Sequence, residues 1–284
     1  MPLLTLQELE SLSPLFRGKV GRITGRCVMR MLAINRLNQL YDRHDHLCGA
    51  EFAHSVLHDL GIHYHVFADK AEVLTRLNQL SKNTPFITIS NHPYGSIDGV
   101  ILADYFGHLC PHYKLMANSL LGRVSALSSS FIPVTPVGAE HRPPTTENVL
   151  GMRHTLMHLR QGGALGLFPA GAVSDFSLRD RCVRDREWQH SIIRLIAKAE
   201  VPILPVRFFD GNSPFYYLLG LIDWRVRLLR LPAEVFNKAC SPVRIGVGMP
   251  VEVEQQHQFL ATHTIEEFGQ WLRSKVYDMT IENR

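Results

Sequence analysis

The feature that most constrains the fold is an alternation, starting near residue 85, between short apolar runs and longer segments with helical periodicity. The helical segments cover residues 99–106, 148–161 and 188–200. A last helix begins at Thr264, where Glu267 completes a capping box. Alternating strands and helices predict an α/β fold, with a mixed, largely parallel sheet flanked by helices. The predicted strands are residues 86–90, 114–117, 131–134, 164–168, 203–208 and 243–247.

The first 80 residues lack this alternation and predict an N-terminal helical segment. Thr5 and Glu8 have the spacing of a capping box. Residues 17–43 interleave basic with apolar side chains, as a basic amphipathic helix does. Such a helix either packs on the core or lies on a membrane surface, and both interpretations stay open. We therefore divide the chain into this segment, residues 1–80, and an α/β domain, residues 81–284.

Composition excludes several classes of protein. With 45% hydrophobic and 20% charged residues, the chain is typical of a globular protein and not of a disordered chain or a coiled coil. No apolar run approaches the ~20 residues that a membrane-spanning helix needs. A net charge of +4 is too small to indicate nucleic-acid binding, although clustered basic residues would suit an anionic lipid surface.

The cysteines and the N-terminus predict a cytoplasmic protein. No two cysteines form a CxxC pair, which favours reduced thiols over disulfides or a zinc ribbon. The N-terminal residues lack the charged and apolar regions of a secretory signal. The cysteines are Cys27, Cys48, Cys110, Cys182 and Cys240.

Residues 91–99 carry the clearest chemical signature. His92 follows a predicted buried strand, and Pro93 keeps the backbone extended after it. Asp98, a short turn later, can accept a hydrogen bond from the imidazole, which would make His92 a general base. The alternative is that Asp98 caps the next helix and His92 is an ordinary turn residue.

Two further segments are weak signals alone. Residues 166–174 form a strand that ends in Pro169, Ala170 and Gly171, where the backbone can approach a ligand, although the pattern alone favours an ordinary strand-ending turn. Residues 202–206 are a strand punctuated by prolines.

Taken in this order, together with residues 116–118 and 131–134, these segments resemble the glycerolipid (lysophosphatidic-acid-type) acyltransferase superfamily. They are most similar to its bacterial hemolysin-like branch, which includes lyso-ornithine-lipid acyltransferases. The resemblance implies transfer of a fatty acyl group from an acyl thioester, on acyl carrier protein or coenzyme A, to a lysolipid hydroxyl in membrane lipid synthesis. It implies neither a metal nor a cofactor.

By this resemblance, His92 removes the proton of the acceptor hydroxyl, and Asp98 orients His92 and stabilises its imidazolium. Backbone N–H groups near Gly171 would stabilise the oxyanion. No nucleophilic serine or cysteine is required, because no acyl-enzyme forms. The implied substrate-binding residues are Asn91, Asn118, Phe168, Pro169, Ala170, Gly171 and Ser174.

Three departures from the family pattern bear on the acceptor. Five residues separate His92 from Asp98, where four are commonest, although the hemolysin-like branch often has the longer turn. Ala170 replaces a glutamate, and Pro133 and Val134 stand where an arginine often binds the acceptor phosphate. Because both missing groups are polar acceptor contacts, the chain is expected to prefer a lysolipid such as a lyso-amino-acid lipid over lysophosphatidic acid.

The expected partners are the acyl donor, the lysolipid and a membrane surface, without nucleic acid, and the expected location is the inner face of the cell membrane. A thioesterase or lipid hydrolase, in which His92 activates water, is an alternative, as is a non-catalytic lipid-binding protein.

Residues 215–231 combine apolar side chains with arginines, which either meet lipid or form a core helix with a basic rim. The helical pairs His54–His58 and His154–His158 have zinc-ligand spacing, but neither encloses the glutamate of an HExxH motif.

Overall fold

A computed structural model describes residues 17–68, 70–118, 125–134, 146–238 and 242–281. The strands in these ranges are β1 (Tyr64–Ala68), β2 (Ile87–Ser90), β3 (Tyr113–Asn118), β4 (Phe131–Val134), β5 (Ala164–Leu167), β6 (Asp175–Ser177), β7 (Cys182–Arg184), β8 (Ile203–Phe208) and β9 (Val243–Val247). The helices are α1 (Gly18–Met31), α2 (Ile34–His44), α3 (Gly49–Asp59), α4 (Ala71–Asn83), α5 (Ile97–Leu109), α6 (Thr146–Arg160), α7 (His190–Ala199), α8 (Pro214–Ile222), α9 (Trp224–Leu229), α10 (Leu231–Phe236), α11 (Val253–Leu260) and α12 (Ile265–Tyr277), with a 3-10 helix at Ser125–Ser130.

The main sheet has seven strands in the order β1-β9-β8-β2-β5-β3-β4. Strands β8, β2, β5, β3 and β4 run parallel to one another. Strand β9 is antiparallel to β8, and β1 is parallel to β9. Strands β6 and β7 form a separate antiparallel hairpin. The sheet is therefore mixed and largely parallel, and the α/β prediction is confirmed.

Helices cover both faces of the sheet because its central strands are apolar on both sides. Ile203 and Leu204 are fully buried in different core clusters, as expected for successive residues of a strand. Helices α3, α4 and α5 pack on one face, and α6, α7 and α12 on the other. Helix α12 begins at the predicted capping box, in which the Thr264 side chain accepts a hydrogen bond from the Glu267 amide.

The N-terminal region differs from its prediction in two ways. It contains strand β1, which pairs with β9 and which the sequence does not predict, because the strand is short and only half-buried. The basic stretch forms two helices, because Ala33 has a φ of 59° and breaks the helix between α1 and α2. The predicted capping box of Thr5 and Glu8 lies outside the described residues, and the division at residue 80 stays a prediction. Within the described ranges, no helix is both long and apolar enough to cross a membrane.

The topology brings three chain segments together at one edge of the sheet. Because β8, β2 and β5 are neighbouring parallel strands, their carboxyl ends lie side by side. His92 follows β2, Phe168 follows β5, and β8 ends at Phe208. Ligands of open α/β sheets bind at this edge.

Candidate active site

Asp98 lies in the first turn of α5 and is completely buried. Its Oδ2 accepts hydrogen bonds from the amides of Tyr94 at 3.1 Å and Gly95 at 3.2 Å. Gly95 has a φ of +75°, and a Cβ atom there would lie 2.5 Å from a methyl group of Val173. Asp98 therefore holds the tight turn that leads from His92 into the helix, but it is not the N-cap of the helix, which is Ser96 and makes no side-chain capping hydrogen bond.

The same carboxylate also contacts His92. The Nδ1 atom of His92 lies 2.7 Å from Asp98 Oδ2. The N–H direction is not aligned with the oxygen, so the contact is a close polar pair and not a linear hydrogen bond. The imidazole ring also stacks on Phe168, with 4.0 Å between ring centroids. Asp98 therefore both shapes the turn before the helix and faces the imidazole.

Two carboxylates determine the protonation of His92. Burial lowers the pKa of the imidazole, but the charge and polar contact of Asp98, together with the charge of Asp185, outweigh it, so that the pKa of His92 lies above its ordinary value of 6.5. The side chain keeps 17% of its surface exposed, whereas that of Asp98 keeps none. The His92 imidazole is therefore partly accessible to solvent, and the two buried carboxylates stabilise its protonated form.

Asp185 is a member of this site that the sequence analysis missed. It follows β7 and is buried, and its Oδ1 accepts hydrogen bonds from the His92 amide at 3.1 Å and from the hydroxyl of Ser174. Trp188 Nε1 lies 3.4 Å from the other carboxylate oxygen. Burial raises the pKa of Asp185. No local spacing signals this residue, because the β6–β7 hairpin brings it to His92 from 93 positions away.

The loop after β5 forms a second wall of the site. Pro169 and Ala170 are buried, and Gly171 has a φ of +64° that favours glycine. The Gly171 amide donates to the Phe168 carbonyl at 2.9 Å, so this particular N–H group is already engaged within the turn. The Ser174 amide donates to the His92 carbonyl at 2.9 Å, which ties the two loops together.

The two predicted asparagines occupy different places. Asn91 is buried, and its amide group exchanges two hydrogen bonds of 2.8 Å with the backbone of Phe208, fastening β2 to β8. Asn118 is the last residue of β3 and pairs in register with Val134.

Arg227 is buried, so this arginine of residues 215–231 does not face lipid headgroups. Its guanidinium donates to the carbonyls of Val173 and Ser174 at 3.0 Å. It also lies 2.6 Å from Asp175. Helix α9 therefore clamps the loop that follows Gly171.

A family model described as acyltransferase matches residues 10–282, nearly the whole chain. The chain belongs to the acyltransferase family. It is 24% identical over 222 residues to a lyso-glycine lipid O-acyltransferase of Bacteroides thetaiotaomicron, covering 75% of this chain and 76% of the relative. It is 25% identical over 223 residues to a lyso-glycine lipid O-acyltransferase of Phocaeicola vulgatus, covering 75% of each chain.

Helix α8 and the residues just before it hydrogen-bond to the loop that carries His92. The Tyr217 hydroxyl donates to the Pro93 carbonyl at 3.0 Å, and Asn212 Nδ2 donates to the Tyr94 carbonyl at 3.0 Å. Buried Glu234 accepts hydrogen bonds from the amide and the hydroxyl of Ser213, at 2.9 and 2.8 Å. The loop that carries His92 is therefore connected to α8 and α10 through buried polar groups.

The predicted histidine pairs of the acyltransferase make other contacts. His54 Nδ1 lies 3.3 Å from Asp104, and His158 Nε2 contacts the Ala164 carbonyl at 3.1 Å. In the part of the chain that the structure describes, no group of three or more His, Cys, Asp or Glu side chains could hold a metal ion.

Proposed function

We propose that this acyltransferase moves a fatty acyl group from a thioester to the hydroxyl of a lysolipid, with His92 as general base and Asp98 as its partner. The observation that carries the proposal is the 2.7 Å contact between His92 and buried Asp98 at the carboxyl edge of the sheet. This edge is where α/β sheets bind ligands, and His–carboxylate pairs accept protons in catalysis.

In the proposed reaction, His92 Nε2 takes the proton of the lipid hydroxyl as its oxygen attacks the thioester carbonyl. The tetrahedral intermediate collapses with cleavage of the carbon–sulfur bond, and the imidazolium returns the proton to the departing thiolate. The products are an ester and a free thiol on the carrier. Asp98 stabilises the imidazolium in between, and a base of this kind contributes about 10²- to 10⁴-fold.

The remaining predicted residues take different roles in this proposal. Phe168 borders the reacting imidazole, and Pro169, Ala170 and Gly171 follow it along the same wall. An oxyanion donor would come from this backbone, but from an amide other than that of Gly171, which is engaged with Phe168.

The last three predicted substrate-binding residues contribute differently. Two of them act through other residues, and one lies at the end of strand β3. Asn91 and Ser174 serve the substrate indirectly, because their side chains bond to Phe208 and Asp185. We assign Asn118 to the same edge of the sheet, at the end of β3.

We propose a lyso-amino-acid lipid as the acceptor. Two relatives carry the name lyso-glycine lipid O-acyltransferase. The chain also has Ala170, Pro133 and Val134 where phosphate-binding relatives would have charged groups. Acyl carrier protein or coenzyme A would carry the acyl group. The enzyme would work as a peripheral protein at the cytoplasmic face of the membrane, within the hemolysin-like branch.

The test is an assay of purified wild-type protein and the His92→Ala variant, with lyso-glycine lipid and lysophosphatidic acid as acceptors. Each acceptor is offered with palmitoyl-acyl carrier protein and with palmitoyl-coenzyme A. Mass spectrometry separates the diacyl product from free fatty acid. We expect the diacyl amino-acid lipid from the wild type only. Free fatty acid without new lipid would indicate the thioesterase alternative, and a clear preference for lysophosphatidic acid would contradict the proposed acceptor.

A further inference from the structure

Helices α8 and α9 pack against each other and expose an apolar surface. Helix α8 contains no charged residue, although one of its faces is open to solvent. Ile222 is 76% exposed and Trp224 is 49% exposed, values unusual for such large apolar side chains. The members of this α8–α9 surface are Phe215, Leu218, Leu221, Ile222, Trp224, Val226 and Leu229.

The opposite face of these helices is firmly anchored. Tyr216 and Tyr217 are buried, and the Tyr217 hydroxyl donates to the Pro93 carbonyl next to His92. Buried Arg227 of α9 is bonded to Val173 and Ser174 on the second wall of the site. The exposed apolar face therefore belongs to an ordered pair of helices attached to both loops of the active site.

We infer that the α8–α9 surface inserts into the interfacial region of a lipid bilayer and so holds the His92 loop at the depth of the acceptor hydroxyl. This inference rests on the proposed function, because a lysolipid acceptor resides in a bilayer. An apolar helix face with tryptophan and arginine at its border is typical of interfacial helices. Arg230 provides that border, lying 4.9 Å from the ring of Phe215 while pairing with Glu234.

The composition of the surface favours lipid over a protein occupant. An acidic carrier protein would require several cations on the contact face, but α8 has none, Arg227 of α9 is turned inward and Arg230 already pairs with Glu234. Arg225 is the remaining basic residue of the two helices. A second copy of the chain is the other occupant that an apolar face would suit, and the experiment below separates it from lipid.

The experiment compares flotation with vesicles of phosphatidylethanolamine and phosphatidylglycerol for three proteins. These are the wild type, the double variant Leu218→Gln/Ile222→Gln, and the control Leu150→Gln/Met157→Gln, which changes comparably exposed apolar residues of α6. We expect the α8 variant to bind vesicles about tenfold more weakly, because membrane affinity scales with the apolar surface inserted. The α6 control should float like the wild type. Circular dichroism verifies that all three are folded.

Activity and oligomeric state complete the test. Acyl transfer to a vesicle-embedded acceptor should fall in the α8 variant, while transfer to a short-chain, monomeric acceptor should stay within about twofold, as for a surface substitution outside the site. If the α8 variant floats like the wild type, the inference fails. It also fails if the wild type is a dimer that the variant dissociates without loss of flotation. Suppose that the wild type acylates no lysolipid, while the α8 variant loses flotation and the α6 control does not. The proposed function then fails, but the inferred membrane surface stands.

Discussion

Helix α5 carries two buried aspartates, and each contacts histidine. Asp98 lies 2.7 Å from His92, whereas Asp104 lies 3.3 Å from His54 and 3.1 Å from His108. Both carboxylates also accept hydrogen bonds from other groups, Asp98 from loop amides and Asp104 from the Tyr64 hydroxyl at 2.9 Å. Each cluster therefore places a histidine nitrogen within 3.3 Å of a buried carboxylate oxygen.

The surroundings of the two clusters differ. The side chains of His54 and His108 are 63% and 43% exposed, and both stand on helices. His92 stands at the end of a central strand, between Phe168 and a second carboxylate, Asp185. The pKa of His108 is raised mainly by a hydrogen bond to the backbone carbonyl of Asp104, whereas the pKa of His92 is raised by two carboxylates. A His–Asp contact is thus common, and its place at the edge of the sheet makes it a candidate for catalysis.

The largest difference between the clusters should appear when their histidines are removed. We expect His92→Ala to lower kcat/KM for acyl transfer by about 10²- to 10⁴-fold, because the proton acceptor is lost. His54→Ala and His108→Ala should stay within about twofold, since surface changes far from a site have small effects. Steady-state assays of the three variants check this, and equal losses in all three would remove the distinction.

Replacement of the aspartates should give the next largest contrast. Asp98→Asn removes the charge that stabilises the imidazolium, so kcat/KM should fall by about 10²-fold or more. Asp104→Asn should leave kcat/KM nearly unchanged but lower the free energy of unfolding by about 1 kcal/mol, because the buried polar contacts weaken. Urea unfolding monitored beside the kinetic assay separates the two outcomes. A large kinetic loss in Asp104→Asn would mean that the second cluster also serves catalysis.

The smallest of these effects should come from Asp185. It touches the His92 backbone and not its ring, so it is a positioning residue, and Asp185→Asn should reduce kcat/KM by about tenfold because His92 is held less accurately. Because Asp185 raises the pKa of His92, its neutralisation should lower that pKa and move the acid limb of the pH profile to lower pH. If the acid limb of the pH profile is the same in Asp185→Asn as in the wild type, the role of Asp185 is purely structural.

The parts of the fold and the site that depend on neighbouring residues could be predicted from sequence. Strand β8 is a largely apolar run and β9 alternates, and both are bounded by proline or glycine. His92 and Asp98 share one short turn, so all these patterns are local. Asp185 reaches His92 only through the β6–β7 hairpin, whose strands are three residues each. The burial of Arg227 depends on carbonyl groups more than fifty positions away in sequence. Long-range partners of this kind leave no periodicity to detect.

The central claim is that His92, poised by Asp98, accepts the proton of the attacking hydroxyl. Its most direct test is the pH dependence of kcat/KM in the wild type, Asp98→Asn and Asp104→Asn, measured side by side. A base must be deprotonated, so the wild-type rate should rise with pH through an ionisation above 6.5, the ordinary value for histidine. In Asp98→Asn burial remains while the nearer charge is lost, so the limb should move to lower pH with a reduced plateau, whereas Asp104→Asn should match the wild type. Three superimposable profiles would contradict the account.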